Sequence, residues 1–305
     1  MRIQRLLTLA AAILVLVTAC GGSDESASTD TGAAVTTGES TATSTAESSG
    51  LLGVVESTGT IRVSTDPAYP PQSFLNDQNN TYEGFDIDVA TEVASRLGVE
   101  IAWETPSWDV LTAGNWNDRW DMSVGSMTPT NERQEVLYFT EPYYFTPAVV
   151  VVHADNTSVA DLSTDLDGAT IGVCSSCTYE SYLNKDLNIE GFEFDFAIDD
   201  AQVQGYDTDT TALQDLALGD GARLDAVITS LTTAQGYIDE GNPVKIVGDP
   251  VFYEPLSVAF DKSAPEDAAG LRDRVDEVLA EMHADGTLTQ MSEQWYDGVD
   301  LTVQQ

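Results

Sequence analysis

Basic residues are scarce in this sequence. Lysine and arginine together number 12 against 51 aspartates and glutamates, which gives a formal net charge of −39 at pH 7. So large an acidic surplus excludes nucleic acid as a partner, because its phosphates must be neutralised by lysine and arginine. It also argues against adsorption to anionic lipid head groups. Such a surface is typical of proteins that stay soluble in a salty environment, where salt screens their self-repulsion.

Histidine and cysteine are also rare. The two histidines, His153 and His283, lie far apart in the sequence, and the three cysteines are Cys20, Cys174 and Cys177. A zinc site needs about four nitrogen or sulfur ligands, so this set favours no metal site. Cys174 and Cys177 form a C-S-S-C motif between a predicted strand and a predicted helix. We expect a structural disulfide outside the cell, with a redox-active dithiol as the alternative.

Long apolar runs are absent except near the amino terminus. A basic start at Arg2 and Arg5 precedes an apolar run over residues 6–17, which is too short to span a membrane as a stable helix. This arrangement is typical of an export signal, and its end, VTAC, resembles a bacterial lipobox. We therefore predict a lipoprotein signal peptide over residues 1–19 and lipid attachment at Cys20. The alternative is a signal anchor with an accidental cysteine.

Residues 20–58 are predicted to contain a flexible linker after the lipidated cysteine. Between residues 21 and 50 there are seven serines, seven threonines, five glycines and five alanines, and Val35 is the only large apolar residue. Such a composition buries too little surface to offset the entropy lost on ordering. As a random coil this segment would span roughly 30 Å, which would hold a globular body away from a membrane.

The rest of the chain alternates short apolar strands with amphipathic helices, which predicts an α/β architecture. Apolar runs predict strands at residues 61–64, 99–103, 122–126, 148–152, 170–173, 224–228 and 244–247. Apolar residues at helical spacing predict helices at residues 86–97, 210–218 and 265–284. The sequence contains no internal repeat.

Seven segments carry a resemblance to a known family. They are IRVSTDPAYPPQSF at 61–74, GFDID at 84–88, DMSVGSMTPTNER at 121–133, FTEPYY at 139–144, YDT at 206–208, RLDAV at 223–227 and MHADGTLTQMSEQWY at 282–296. In this order they resemble the extracellular solute-binding proteins of the amino-acid ABC importers, often called family 3. Because the segments are numerous and lie in the family's order, the resemblance covers most of the chain after the linker.

The resemblance implies a type II periplasmic-binding-protein-like fold. In this fold two α/β lobes are joined by two hinge strands, and the solute lies in the cleft between them. The first crossing is expected near residues 145–148 and the return near residues 253–257. Lobe 1 would then comprise residues 59–146 plus 254–305, and lobe 2 would comprise residues 147–253. Closure of the lobes removes water and strengthens the polar contacts to the solute.

Arg133 is the first binding residue that the resemblance implies. It matches the family arginine that grips the α-carboxylate of the ligand, and a guanidinium offers a rigid fork of donors to a carboxylate. From the residue type alone, an exposed ion pair with Glu132 or Glu135 would be the more common outcome. Ser126 and Thr128 match positions that present backbone and hydroxyl groups to the ligand, with an ordinary strand end as the alternative.

The resemblance implies further contacts from both lobes. Thr178 matches a family threonine at the start of a lobe 2 helix, where exposed N–H groups and the helix dipole favour an anion. Tyr69 and Trp108 match positions that sandwich the ligand side chain between aromatic rings, with core packing as the alternative for Trp108. Asp66 would meet a positive tip of that side chain, whereas Asp86 is expected to cap the following helix.

One position departs from the family pattern. Most members carry a lobe 2 aspartate that pairs with the α-ammonium group of an amino acid, and the register through RLDAVIT at 223–229 places Ser230 there. A buried ammonium without a carboxylate partner is costly. Either another acid takes over this role, or the ligand lacks a standard α-amino group.

These observations predict a substrate-binding lipoprotein that captures an amino acid or amino-acid-like solute outside the cell and delivers it to ABC permease and ATPase subunits. We expect a monomer without a cofactor. An enzyme on the same fold, such as a cyclohexadienyl-dehydratase-like protein, is the main alternative, although no nucleophile–base pair stands out in the sequence. An extracellular sensor or redox protein that uses Cys174 and Cys177 is a third hypothesis.

Overall fold

A computed structural model describes residues 48–304 of the chain. The predicted signal peptide, the predicted lipid site at Cys20 and most of the predicted linker therefore lie outside the described residues. Within the described range, none of the helices has both the length and the apolar character that a membrane span requires.

Strands and helices alternate along the described range. The strands are β1 Thr60–Ser64, β2 Ala68–Tyr69, β3 Ser73–Asn76, β4 Thr81–Glu83, β5 Glu100–Glu104, β6 Met122–Met127, β7 Leu137–Phe139, β8 Tyr144–His153, β9 Thr170–Cys174, β10 Gln202–Tyr206, β11 Ala226–Ser230 and β12 Val244–Asp261. The helices are α1 Gly50–Thr58, α2 Phe85–Leu97, α3 Trp108–Thr112, α4 Asn131–Val136, α5 Leu162–Asp165, α6 Thr178–Leu183, α7 Asp209–Leu216, α8 Leu231–Asp239, α9 Ala269–Ala284 and α10 Thr287–Trp295.

Nine of these strands form one mixed sheet. Eight of them lie in the order β10-β9-β11-β8-β12-β6-β1-β5, and β7 pairs with β12 off this path. At one end β1 runs parallel to β5 and β6, and at the other end β9 runs parallel to β10 and β11. The strands β2, β3 and β4 form a separate antiparallel sheet. The predicted α/β architecture is confirmed.

The long strands β8 and β12 lie side by side in the middle of the large sheet. They run antiparallel, and residues 252–256 of β12 pair with residues 144–148 of β8. These paired segments contain the two crossings predicted near residues 145–148 and 253–257. The chain therefore passes from one end of the sheet to the other through two adjacent strands, which is the connection expected of a two-lobed hinge.

Buried apolar side chains form separate clusters along the chain. The largest cluster draws its members from positions up to residue 144 and from residue 256 onward. Two other clusters draw all their buried members from residues 148–252. This distribution supports the predicted division into lobe 1 and lobe 2, whose limits remain a prediction.

Helix α2 illustrates how the local sequence sets an element. Val89 and Val93 lie one turn apart and are fully buried, so this face packs into the core. Gly98 follows the helix with φ of 73°, a left-handed conformation that ends helices and suits glycine. Gly84 precedes it with φ of 130°, and a Cβ atom there would lie 2.3 Å from the carbonyl oxygen of Gln72. The helix predicted at residues 86–97 is confirmed.

Three predicted boundaries require correction. Residues 50–58, which were assigned to the flexible linker, form helix α1, because Leu51 and Val55 lie one helical turn apart and are buried against α9. The helix predicted at residues 265–284 begins only at Ala269, and the strand predicted at residues 224–228 lies at 226–230. The apolar stretch at residues 51–55 is the feature of the sequence that indicates an end of the linker before residue 58.

Candidate functional site

A cavity, partly open to solvent, gathers residues from both predicted lobes and from strand β12. Seven of the eight predicted ligand-binding residues line the cavity, together with both cysteines of the C-S-S-C motif. The seven are Asp66, Tyr69, Trp108, Ser126, Thr128, Arg133 and Thr178.

The Arg133 guanidinium is buried in the wall of this cavity. Its side chain donates to the Thr128 carbonyl oxygen from Nη1 at 3.0 Å and to the Ser176 carbonyl oxygen from Nη2 at 2.8 Å. Arg133 is 6% exposed, and no ion pair joins it to another residue in the described range. Burial lowers the pKa of Arg133 to about 10, although the charges of Glu254 and Glu132 oppose this shift. The site thus holds a buried cation whose donors are only partly used.

Two aromatic side chains lie against the same cavity. The Trp108 ring lies at the start of α3, and its centroid is 5.2 Å from the Arg133 guanidinium carbon. Its Nε1 donates to the Ser176 carbonyl oxygen at 3.2 Å. Tyr69 belongs to β2 and also faces the cavity, where burial raises the pKa of its hydroxyl. Part of the Trp108 ring therefore serves to hold Arg133, and the remaining aromatic surface is left for a ligand.

A buried carboxylate, that of Glu254, lies near Arg133 and lines the same cavity. Its Oε2 accepts hydrogen bonds from the Thr128 and Thr178 hydroxyls, both at 2.7 Å, and its Oε1 accepts one from the Tyr179 hydroxyl at 2.9 Å. Glu254 is 2% exposed. Burial raises its pKa, whereas the three hydroxyls and the Arg133 charge lower it. The sequence did not single out Glu254, although it lies in the predicted return crossing.

The hydroxyl of Ser126 is used inside the protein. It donates to Asp86 Oδ2 at 2.7 Å and lies 2.6 Å from the Tyr144 hydroxyl. The Ser126 backbone N–H donates to the Tyr143 hydroxyl at 3.1 Å. Asp86 was expected to cap α2, but the amino terminus of α2 has no side-chain cap hydrogen bond. Its carboxylate instead accepts hydrogen bonds from the Ser126 and Tyr143 hydroxyls. Ser126 therefore lines the cavity mainly through its backbone.

Ser230 is the predicted binding residue that the structure does not bring to the cavity lining. It caps helix α8, with its hydroxyl accepting from the Thr233 backbone N–H at 3.2 Å. The same hydroxyl donates to Thr233 Oγ1 at 2.9 Å and accepts from Gln72 Nε2 at 3.1 Å. These contacts consume its hydrogen-bonding capacity, so the lobe 2 position that the family resemblance pointed to does not face the ligand.

Three further acids line the cavity: Asp66, which was predicted, and Asp207 and Asp209, which were not; of these, Asp207 is exposed. Asp66 Oδ1 accepts from the Ala68 backbone N–H at 2.7 Å, and burial raises its pKa. Asp209, at the first residue of α7, is 5% exposed, and burial raises its pKa to about 7, with the negative charges of Asp66 and Glu254 adding to the shift. Asp209 follows the YDT segment at 206–208 directly, which is the signal that could have indicated it.

Cys174 and Cys177 form a disulfide, and both residues line the cavity. Cys174 ends β9 and Cys177 immediately precedes α6, so the bridge closes the loop between a strand and a helix. Ser176 lies inside this loop with φ of 62°, and its carbonyl oxygen accepts from both Arg133 and Trp108. The disulfide thus helps to fix a carbonyl group that contacts the predicted opposite lobe.

The cysteines and Asp209 also form one compact group of potential metal ligands. Their ligand atoms all lie within 4.8 Å of one another. A disulfide sulfur, however, is not a thiolate and does not serve as a zinc ligand of the usual kind. The chemistry of this group therefore does not fit a metal ion while the disulfide is formed.

Comparison with known proteins connects this geometry to a family. A sequence model described as bacterial extracellular solute-binding proteins, family 3, matches residues 61–298. The L-cystine-binding protein TcyJ of Escherichia coli strain K12 is 31% identical over 253 residues, which cover 83% of this chain and 88% of that protein. The "Probable amino-acid-binding protein YxeM" of Bacillus subtilis strain 168 is 31% identical over 242 residues, covering 79% and 84% of the two chains.

A solved structure shows a similar fold. The ancestral amino-acid-binding protein AncCDT-1, described as a precursor of cyclohexadienyl dehydratase, superimposes with a TM-score of 0.69 at 28% sequence identity. The alignment covers 80% of this chain and 99% of that protein.

Proposed function

Because the chain belongs to the bacterial extracellular solute-binding proteins of family 3, we propose that it captures an amino acid or an amino-acid-like solute outside the cell and delivers it to an ABC importer. The permease and ATPase subunits of that importer are separate chains. The binding site in this proposal is the cavity that Arg133 lines.

The buried Arg133 guanidinium is the observation that carries this proposal. A buried charge without an opposite charge in contact is costly, and a ligand carboxylate would supply the missing partner. Two backbone carbonyls already hold the guanidinium in place, so its free donors are pre-oriented. A planar fork of donors suits a carboxylate, which accepts two parallel hydrogen bonds. A solute with a carboxylate end is therefore the ligand that this site fits.

Contacts between the two predicted lobes converge at the same place. Arg133 and Trp108 of predicted lobe 1 both donate to the Ser176 carbonyl oxygen of predicted lobe 2. Glu254, in the return strand, accepts from Thr128 of one lobe and Thr178 of the other. A ligand held by Arg133 would thus be contacted from both sides, which would favour closure of the lobes around it.

We further propose that the protein is a monomeric lipoprotein, tethered by Cys20 to the outer face of the cell membrane. The basic start, the apolar run and the small residues before Cys20 support this part of the proposal. Fractionation of cells that produce the full-length chain or its Cys20→Ser variant tests the anchor. Release of the variant alone from the membrane fraction would support it, and equal retention of both would contradict it.

A thermal-shift screen of the purified protein tests the binding function. The ligands are the standard amino acids and L-cystine, each compared with the same compound carrying an amidated carboxyl group. At a concentration of about 100 times the dissociation constant a ligand adds roughly 2.7 kcal/mol of stability. We therefore expect at least one amino acid to raise the melting temperature by about 5–10 °C.

The amidated compounds are the matched control in this screen, because they lack the negative charge that Arg133 would bind. They should produce no comparable shift. If no compound in either series stabilises the protein, or if an amide stabilises it as well as its parent acid, the proposed function is contradicted.

An enzyme on the same fold is the alternative function. The similarity to a precursor of cyclohexadienyl dehydratase favours it, as does the presence of a buried carboxyl group with a pKa near 7, which suits a general acid. Against it, TcyJ and YxeM are described as binding proteins. Mass spectrometry of a stabilising ligand after prolonged incubation separates the two functions: recovery of unchanged ligand supports binding, and a product supports catalysis.

A further inference from the structure

Acidic side chains outnumber basic ones on the lining of the cavity. Arg133 is the one basic residue among the described lining residues, and it faces three buried or largely buried acids: Asp66, Asp209 and Glu254. An amino acid with one carboxylate and one ammonium brings no net charge to such a site. The arrangement of the acids therefore decides where a positive group of the ligand would lie.

Glu254 is already satisfied by the protein. Three hydroxyl groups donate to its two carboxylate oxygens, and the charge of Arg133 lies nearby. Asp66 has one oxygen engaged by the Ala68 backbone N–H. A ligand ammonium would compete with existing donors at either of these acids.

Asp209 differs because its Oδ1 atom is buried and makes no hydrogen bond of normal geometry in the part of the chain that the structure describes. The Thr229 hydroxyl, which is also buried without a normal hydrogen bond, lies near enough to lower the pKa of Asp209 but supplies no charge. No basic side chain forms an ion pair with it among residues 48–304. A buried carboxylate in this state is destabilising unless a donor reaches it. The position is nevertheless suitable for a negative group, since Asp209 is the first residue of α7 and the helix dipole favours an anion there.

The neighbours of Asp209 indicate what kind of donor is missing. Burial raises its pKa, and the charges of Asp66 and Glu254 add to this rise, whereas the Thr229 hydroxyl opposes it. Both sulfurs of the Cys174–Cys177 disulfide lie within 4.8 Å of its nearest carboxylate oxygen and supply no proton. A positively charged group would therefore be attracted by several acids and would find its hydrogen-bond acceptor at Asp209.

We propose that Asp209 accepts the ammonium group of the bound ligand, in place of the residue at position 230. This inference rests on the proposed function, since the carboxylate of the same ligand would lie against Arg133. Ser230 is turned toward Gln72 and Thr233, so the ligand's positive group finds no acceptor there. The ligand class is thereby narrowed to solutes that carry a carboxylate and a protonated amine, such as an unmodified α-amino acid.

Binding of the ammonium group would also change the protonation of Asp209. With a pKa of about 7 in the free protein, part of the Asp209 population carries a proton at pH 6–7. An ammonium ion favours the ionised carboxylate, so the ligand should displace that proton on binding. The other charged or titratable groups that line the cavity with Asp209 are Asp66, Asp207, Glu254, Arg133, Tyr69 and Tyr179. Proton release is a readout that a purely structural role of Asp209 would not produce.

Isothermal titration calorimetry of Asp209→Asn tests the proposal. The two probes are the L-amino acid that gives the largest thermal shift and the same compound with hydrogen in place of its α-amino group. We expect Asp209→Asn to bind the amino acid about 10- to 100-fold more weakly, as when a buried charge loses its partner. Affinity for the deaminated compound should change less than about threefold, because that compound has no ammonium for Asp209 to accept.

Asp186→Asn is the matched control, because it removes the same charge from an exposed position in the same predicted lobe. It should bind the amino acid as the wild type does. Titrations at pH 6 in buffers of different ionisation enthalpy should show proton release for the wild type and for Asp186→Asn but not for Asp209→Asn. Equal amino-acid affinity in wild type and Asp209→Asn, or equal losses for both probes, would overturn the role of Asp209 while leaving the proposed function intact.

A measurement without ligand covers the case in which no amino acid binds. Removal of an unsatisfied buried carboxylate should stabilise the free protein, so Asp209→Asn should melt about 2–6 °C above the wild type at pH 8. Asp186→Asn shows how much of that rise comes from the lower net charge alone. If Asp209→Asn melts at or below the temperature of Asp186→Asn, Asp209 is already satisfied within the protein and the proposal is contradicted.

Discussion

Two buried aspartates, each in the first turn of a helix, share a raised pKa but differ in the hydrogen bonds that their carboxylates accept. Burial raises the pKa of Asp86 at the start of α2 to about 7, and it does the same to Asp209 at the start of α7. Both oxygens of Asp86 accept a hydroxyl, from Tyr143 at 2.6 Å and from Ser126 at 2.7 Å. Asp209 has a buried oxygen without any partner in the described range.

The difference shows that a raised pKa alone does not identify a binding residue. Desolvation disfavours the charged carboxylate at both positions. The two residues differ in whether the protein supplies hydrogen-bond donors to the carboxylate. Both oxygens of Asp86 accept a hydrogen bond from a hydroxyl, whereas Oδ1 of Asp209, which lines the cavity, accepts none in the described range. An incomplete buried polar group beside a cavity is the combination that indicates a ligand contact.

Asp86→Ala should produce the largest effect on stability. It would leave the Tyr143 and Ser126 hydroxyls buried without their acceptor, and each such loss costs about 1–3 kcal/mol. We expect the free energy of unfolding to fall by about 3–4 kcal/mol in urea titrations at pH 7. Asp77→Ala, at an exposed position, is the control and should stay within about 0.5 kcal/mol of the wild type. A loss at position 86 no larger than that of the control would mean that the two aspartates do not differ as described.

The pH dependence of stability should show a smaller effect, which has the same direction for Asp86 and Asp209 because burial raises the pKa of both. A carboxyl group whose pKa is raised in the folded state binds more protons there than in the unfolded chain, so its contribution to stability falls as pH rises from about 4 to 7. For Asp209, with an ordinary pKa of 3.8 and a folded value of about 7, the loss between pH 5 and pH 8 is about 2–3 kcal/mol. Asp209→Asn should therefore lose that much less stability than the wild type over this interval.

Urea titrations of both proteins at pH 5 and pH 8 check this expectation, with Asp186→Asn as the control for net charge. Asp86 remains in all three proteins, so its own pH-dependent contribution cancels in the comparison. If the wild type and Asp209→Asn lose equal stability between the two pH values, Asp209 does not titrate in this range and its carboxylate is not unsatisfied.

Much of the fold was accessible from the sequence because apolar spacing reports directly on burial. Val89 and Val93 marked the buried face of α2, and residues 148–152 marked the centre of β8. The start of the folded body was placed too late. A short apolar group at Leu51 to Val55 follows a long run of serine and threonine, and helix α1 depends on its packing against α9, a partner more than 200 residues away. Local composition carries no information about such a partner.

The residues of the candidate site were likewise predictable from the sequence only in part. The Arg133 side of the cavity was predicted because its residues lie in segments with a strong family resemblance. Glu254 and Asp209 were missed because their roles depend on neighbours contributed by distant segments: the hydroxyls of Thr128 and Thr178 around Glu254, and the disulfide near Asp209. Ser230 illustrates the converse, since its register was read from the sequence but Gln72, 158 positions away, turns its hydroxyl from the cavity. Tertiary contacts determine which polar groups remain open to a ligand.

Calorimetric measurement of ligand affinity in Arg133→Ala tests the central claim most directly. Loss of the guanidinium should weaken binding of the stabilising amino acid by about 3–5 kcal/mol, on the order of a hundredfold to a few thousandfold, with the fold intact by circular dichroism. Arg274→Ala, which removes an arginine from a surface ion pair on α9, should bind as the wild type does. Unchanged affinity in Arg133→Ala would contradict the account.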